Sequence, residues 1–152
     1  MNLRKLSPYS IVISRVINAP LPFVYSWWTD FREDDWKISH QRRKIKIYER
    51  TRNRLIMSLK YQSHGETATA ARIVTLKPPY AWHLDWIGDE HDETGDYKLT
   101  RLAHNRTKLT VMFKVKPKTA PWANKMKVQR GIESVWDKYV AALEEAAQNA
   151  RS

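Results

Sequence analysis

The chain has 152 residues, 42% hydrophobic and 28% charged, with a formal net charge of +11. It has no cysteine and four glycines, which excludes disulfides, thiol nucleophiles and an assembled glycine-rich phosphate loop. No run approaches the roughly 18 apolar residues of a membrane span, and Met1–Pro8 holds no apolar signal core. The expectation is one domain over residues 1–152, not integral to a membrane, in a reducing cytoplasmic setting. So basic a chain attracts anions, whether nucleic acid, acidic lipid surfaces or carboxylate ligands.

Ser10–Ile17 reads as a strand, with Ile11, Ile13 and Ile17 on one face beside Arg15 and with Val12 and Val16 on the other. Pro20 and Pro22 suit a helix start, and Phe23, Val24, Trp27, Trp28 and Phe31 then follow helical spacing. Arg32–Ser39, with Trp36 inside, reads as a second short helical turn. From Lys44 the period becomes two. Lys44–Glu49 alternates charged and apolar residues, and Leu55, Met57, Leu59 and Tyr61 share a face of the next strand. His64–Glu66 looks like a hairpin turn, Thr67–Leu76 a β-branched strand closed by Pro78 and Pro79. Trp82, Leu84 and Trp86 alternate with His83, Asp85 and Ile87, after which Gly88–Gly95 reads as an acidic connection. Asp96–Ala103 and Lys108–Val115 form a last hairpin. Thr119 and Pro121 suit the cap of a long helix carrying Trp122, Met126, Ile132, Trp136, Tyr139, Val140, Leu143 and Ala147 every three or four residues, with Gly131 its weak point. About thirty helical residues would span roughly 45 Å and need a broad surface to lie on.

The order is therefore strand, two short helices, six strands in hairpins and a long helix. That order, with the segment Ile17–Trp36 (an apolar strand, Ala19-Pro20, a helix with adjacent tryptophans, then Thr29-Asp30-Phe31), resembles the START-like, or birch-pollen-allergen-like, superfamily. Within it the chain is most similar to the polyketide cyclase/dehydrase and coenzyme-Q-binding types. The resemblance implies an α+β helix-grip fold: a curved antiparallel seven-stranded sheet wrapped around a long C-terminal helix, with two short helices after the first strand. It also implies an interior cavity for a hydrophobic or amphipathic molecule. It implies no particular reaction, and no catalytic motif transfers from it.

The residues expected to line such a cavity are Trp28, Trp36, Met57, Tyr61, Trp82, Trp86, Tyr97, Arg101, Phe113, Trp136 and Tyr139. Aromatic walls with a few polar groups are typical of small-molecule pockets, although seven tryptophans are also enough to fill a hollow. Arg15, Glu49 and Arg101 share apolar strand faces, where an unpaired charge is costly. Each is either paired, for example as a Glu49–Arg bridge, or set to hold a ligand carboxylate. Arg72 lies on a strand whose two faces are both mixed. Asp89–Glu93 reads as a solvated acidic turn, and His40, His64, His91 and His104 fall in turns or connections. No Ser-His-Asp or metal-ligand spacing emerges, and no cofactor is expected. Lys44, Lys46, Arg50, Arg52 and Arg54 keep an even spacing that would form one basic face, suited to anionic lipid or nucleic acid but also to simple edge protection. The leading expectation is binding or transport of a hydrophobic, even anionic, small molecule rather than catalysis. A cyclase or dehydratase stands second, with Arg101, Glu49, Tyr61 or Tyr97 as acid or base, and a basic interaction module third. The sequence implies no particular oligomeric state.

Overall fold

Alternation of apolar and polar side chains builds the sheet. On the last strand Leu109, Val111, Phe113 and Val115 are buried, while Lys108, Met112, Lys114 and Lys116 between them are exposed. Ile11, Ile13 and Ile17 behave the same way on the first strand. The computed structural model describes residues 6–31, 36–39 and 43–151. The strands are β1 (Tyr9–Ile17), β2 (Arg43–Arg50), β3 (Arg54–Ser63), β4 (Glu66–Lys77), β5 (Ala81–Gly88), β6 (His91–Ala103) and β7 (Arg106–Pro117). Helices α1 (Leu21–Trp28) and α2 (Trp36–Ser39) follow β1, and α3 (Lys125–Arg151) ends the chain. All seven strands join one antiparallel sheet in the order β1-β7-β6-β5-β4-β3-β2, so the first strand pairs with the last.

Helix α3 lies across the inner face of the sheet. Its fully buried residues are Trp136, Leu143 and Ala147, all in its middle and C-terminal half. A buried leucine such as Leu143 contributes roughly 1.5–3 kcal/mol by leaving water. Charged contacts tether the same half to the β1 edge. Arg15 Nε lies 2.8 Å from Asp137 Oδ1, and Asn18 N donates to Glu144 Oε2 at 2.7 Å. Arg15 is thus paired and holds no ligand. A short 3-10 turn at Ala120–Ala123 precedes α3, which is capped instead by Asn124, whose Oδ1 accepts from Lys127 N at 3.1 Å.

Three expectations are corrected here. The acidic segment Gly88–Gly95 is not a connection: β6 begins at His91, and only Asp89 and Glu90 form the turn. Its inward positions carry polar groups, so apolar periodicity could not reveal the strand. The basic run does not make one face. A bulge between Ile47 and Glu49 shifts the register, β2 ends at Arg50, and Arg54 begins β3 paired with Glu49 at 2.7 Å. Glu49 is therefore a partly exposed ion-pair partner. Arg101 is exposed as well: it keeps the register of Leu99, pairing with Thr107, but it lies at the far end of the β6–β7 hairpin, where every residue from Arg101 to Arg106 is exposed.

On the outer face, both nitrogens of His83 meet carboxylates, Asp96 at 2.6 Å and Asp85 at 3.0 Å. Burial opposes the ring's charge, but the two hydrogen bonds outweigh it and raise the pKa above the ordinary 6.5. A raised folded-state pKa contributes stability that is fully present below the unfolded value and lost as pH rises through the folded value. His83→Gln should therefore lower the unfolding free energy from urea titration at about pH 5.5, by no more than about 1 kcal/mol because the carboxylates are partly exposed, and by clearly less at about pH 9. Equal losses at both pH values would refute a charged His83 clamp.

Candidate ligand-binding site

Between the inner face of the sheet and the N-terminal half of α3 lies a cavity of about 790 Å³. Three parts of the fold supply its aromatic wall. Helix α1 presents Trp27 and Trp28, the sheet presents Tyr61, Trp86, Tyr97 and Phe113, and α3 presents Trp136 and Tyr139. These rings brace one another. Trp28 lies 5.0 Å from Trp136 and 5.8 Å from Tyr139 between ring centroids, and Tyr97 stacks on Trp136 at 6.0 Å. Met57, Leu84 and Ile45 complete the apolar surface.

One cation points into this space. Arg72 occupies the inward parity of β4, in line with Ala68, Ala70 and Val74, and the short alanines leave room for its side chain. Its guanidinium lies 5.2 Å from the Trp86 ring centre and 5.8 Å from that of Phe31. Nη1 reaches the Met57 sulfur at 4.0 Å, and Nε is buried with no hydrogen-bond partner. Among the described residues no carboxylate forms an ion pair with it. The surface it keeps faces the cavity, while the surrounding protein strips it of bulk water. That burial, reinforced by the like charge of Arg43, lowers its pKa to about 10, so it remains a cation at neutral pH.

The β5–β6 turn closes one end of the wall. Glu90 is buried there and accepts from Tyr61 Oη at 2.9 Å and Ser63 Oγ at 2.7 Å. Ser63 Oγ also lies 3.0 Å from His64 Nδ1. With its proton directed at Glu90, Ser63 is not set up as a nucleophile with His64 as base. Burial, and then the Glu90 bond, raise the Tyr61 pKa well above its usual range, so its hydroxyl stays a donor. Next in the wall, the His91 ring stacks between Trp86 at 5.5 Å and Trp122 at 3.4 Å. Its Nε2 is 3.5 Å from Glu93 Oε1, and its Nδ1 is buried without a partner. Tyr9 Oη donates to the Trp122 carbonyl at 2.5 Å and pins the 3-10 turn over the histidine. Desolvation, with a smaller effect of Glu93, pushes the Tyr9 pKa up to about 12.

No protein-family model and no curated protein matches the sequence. Solved structures do match. The Zhui aromatase/cyclase from Streptomyces sp. R1128 superposes with a TM-score of 0.77 at 16% identity, covering 91% of this chain and 94% of that one. A START superfamily protein from Mycobacterium smegmatis gives 0.69 at 17% identity over 93% and 98% of the two chains. Ara h 8.0201 gives 0.71 at 11% identity over 90% and 98%. The chain has the START-like helix-grip fold. At these identities the likeness concerns the fold alone.

In this chain the cavity wall includes Trp28, Met57, Tyr61, Trp86, Tyr97, Phe113, Trp136 and Tyr139. Trp82 is not on it. That ring is 1% exposed and stacks behind Tyr97 at 4.9 Å, as packing rather than lining. Arg101 lies on the surface, and the Trp36 side chain and His40 lie outside the described residues. Reasoning from sequence missed Arg72, Glu90, His91 and Glu93. For Arg72 the signal was the even parity shared with Ala68, Ala70 and Val74. For His91 and Glu93 it was the odd parity of Tyr97 and Leu99 continued backwards through the acidic segment. Nothing local marks Glu90.

Gly88 sets the position of the Trp86 indole. A Cβ built there would stand 2.7 Å from Trp86 Nε1 and 3.2 Å from the His91 carbonyl oxygen. Gly88→Ala should displace that indole, cost about 1–3 kcal/mol in stability and shift the tryptophan emission. An unchanged emission spectrum and melting temperature would show that the wall tolerates the methyl group.

Proposed function

We infer that this chain binds an amphipathic anionic small molecule in the internal cavity, its apolar body against the aromatic wall and its negative group on Arg72. The observation that carries this reading is the buried guanidinium without a carboxylate partner. An unpaired charge in an apolar interior costs several kcal/mol, and a ligand anion placed there would form a charge-assisted, two-pronged hydrogen bond with little competition from water. The aromatic rings are braced by one another and by the sheet, so the surface is formed before the ligand arrives. The START superfamily and aromatase/cyclase neighbours support a cavity of this kind. An anionic lipid or a polyketide-like acid would fit this chemistry, whereas a quinone, having no anionic group, would use the aromatic wall alone.

A second reading, a cyclase or dehydratase, draws on His91, Glu93, Tyr97 and Tyr61 in the same wall. Arg101 and Glu49, two of the groups that sequence put forward for such chemistry, lie outside it. Tyr97 is held strongly protonated by burial, next by Glu93, with Arg72 opposing, and can serve as a hydrogen-bond donor. Binding without turnover separates the two readings.

Native mass spectrometry of freshly purified protein, followed by extraction, should reveal a retained amphiphile. Titration with naphthoate and dodecanoate, read by tryptophan fluorescence, should show each acid binding at least about tenfold tighter than its matched alcohol, or about 1.4 kcal/mol. Arg72→Met should abolish that preference while leaving the apo protein at least as stable, because it removes an uncompensated buried charge. No saturable signal with any acid or alcohol would reject the cavity as a binding site. Equal affinity for acids and alcohols would reject Arg72 as the anchor.

A further inference from the structure

The outer face of β2 and β3 carries a second, unrelated cationic feature. Lys44 pairs directly with Lys60 across the antiparallel ladder, and Lys46 pairs with Ser58. Directly opposed residues have Cβ atoms about 5 Å apart, and residues two apart on one strand are separated by about 6.8 Å. Three ammonium groups therefore crowd one small area, although like charges placed opposite each other destabilise a sheet. None of the three forms an ion pair with a described carboxylate. They line a shallow groove with Arg43, Ser58 and Thr69.

One further observation joins this face to the cavity. Arg43 and Ile45 line both the groove and the cavity, because β2 is an edge strand with the cavity on its inner side. Beside the lysines, Tyr48 is 62% exposed and lies under Lys46 Nζ at 4.9 Å. At another margin of the cavity, Lys127 lines the space, and its neighbour Met126 is 65% exposed. Lysines beside an exposed aromatic tip, next to the wall of the cavity, suit a surface that is anionic outside and apolar just beneath. Single-stranded nucleic acid would call for successive stacking aromatics, but among the described residues none lines this groove, and Tyr48 beside it is engaged by Lys46 and Ser58.

We propose that the Lys44–Lys46–Lys60 face docks the protein on an anionic lipid bilayer, with the margin of the cavity against the membrane. This goes beyond the ligand reading and stands on a different set of residues. A bilayer is also a source and sink for sparingly soluble amphiphiles, so docking beside the cavity shortens their path through water.

The test is flotation of the full chain with phosphatidylcholine vesicles, with and without phosphatidylserine, at low and high salt. Wild type should float only with the anionic vesicles, and less at high salt. Lys44→Glu/Lys46→Glu/Lys60→Glu should reduce partitioning at least tenfold. Lys98→Glu/Lys108→Glu/Lys114→Glu, equal in charge but placed on exposed positions of β6 and β7, should keep most of it. Lys60→Glu alone puts opposite charges across from each other, so it should fold at least as well as wild type and still weaken binding. Absence of flotation by wild type would overturn the proposal. So would equal loss in both triple variants, which would mean net charge rather than this face, or tighter binding to an oligonucleotide than to vesicles. Acid binding in the cavity is measured separately without lipid, so failure of docking leaves the ligand reading standing, and the reverse.

Discussion

A seven-stranded antiparallel sheet with one apolar face must be covered, and in this chain a single long helix is available to cover it. α3 meets the sheet firmly only through Trp136, Leu143 and Ala147 and is tied to the β1 edge by Asp137 and Glu144. Towards its N-terminus Val128 and Ile132 pack against the core only part-buried, and with Gly131 and Val135 they line the cavity. The sheet curves away beneath it, and the cavity is what remains between a helix fixed at one end and a sheet that cannot flatten without losing its twist. The position of every group in the wall follows from that mismatch.

Within the cavity the energetics run against simple stability. Close packing of apolar side chains would have been the stabilising solution. Instead the wall keeps a cation with orphaned Nε, a histidine with orphaned Nδ1 and an indole with orphaned Nε1. Each unsatisfied buried group costs on the order of 1–3 kcal/mol. Such costs are typical of sites prepared for something that arrives later, because the same groups then bind without reorganising. The aromatic lattice around them, Trp28 on Trp136 and Trp136 on Tyr97 on Trp82, supplies the rigidity that lets the space persist.

Charge is distributed by location as much as by number. Arg15, Arg54 and Lys118 have carboxylate partners and act as fasteners between elements. Arg72 is inside and carries its charge to the cavity. Lys44, Lys46 and Lys60 are outside and concentrate charge on one face. The net charge of +11 therefore describes at least three different uses of basic residues, and only the last is governed strongly by salt.

Residue parity and turn chemistry determined most of the architecture. Ile11, Ile13 and Ile17, the alternation through Leu55–Tyr61 and Leu109–Val115, and the spacing of Trp136, Tyr139, Leu143 and Ala147 each state a period that sterics permits only one element to satisfy. The aromatic wall was legible for the same reason, since Trp28, Trp86, Tyr97 and Phe113 sit on the apolar parity of their elements. Tertiary structure decided what parity could not. The β6–β7 hairpin carries Arg101 beyond the buried core, a bulge and a turn split the basic run, and Lys60 joined Lys44 only through strand pairing. Arg72 was ambiguous on a strand with two mixed faces, and His91 and Glu93 read as part of a solvated turn, because hydrophobicity cannot distinguish a polar group facing solvent from one facing a cavity. Whether seven tryptophans fill a hollow or line it depends on where helix and sheet part company, and that is set by packing between elements distant in sequence.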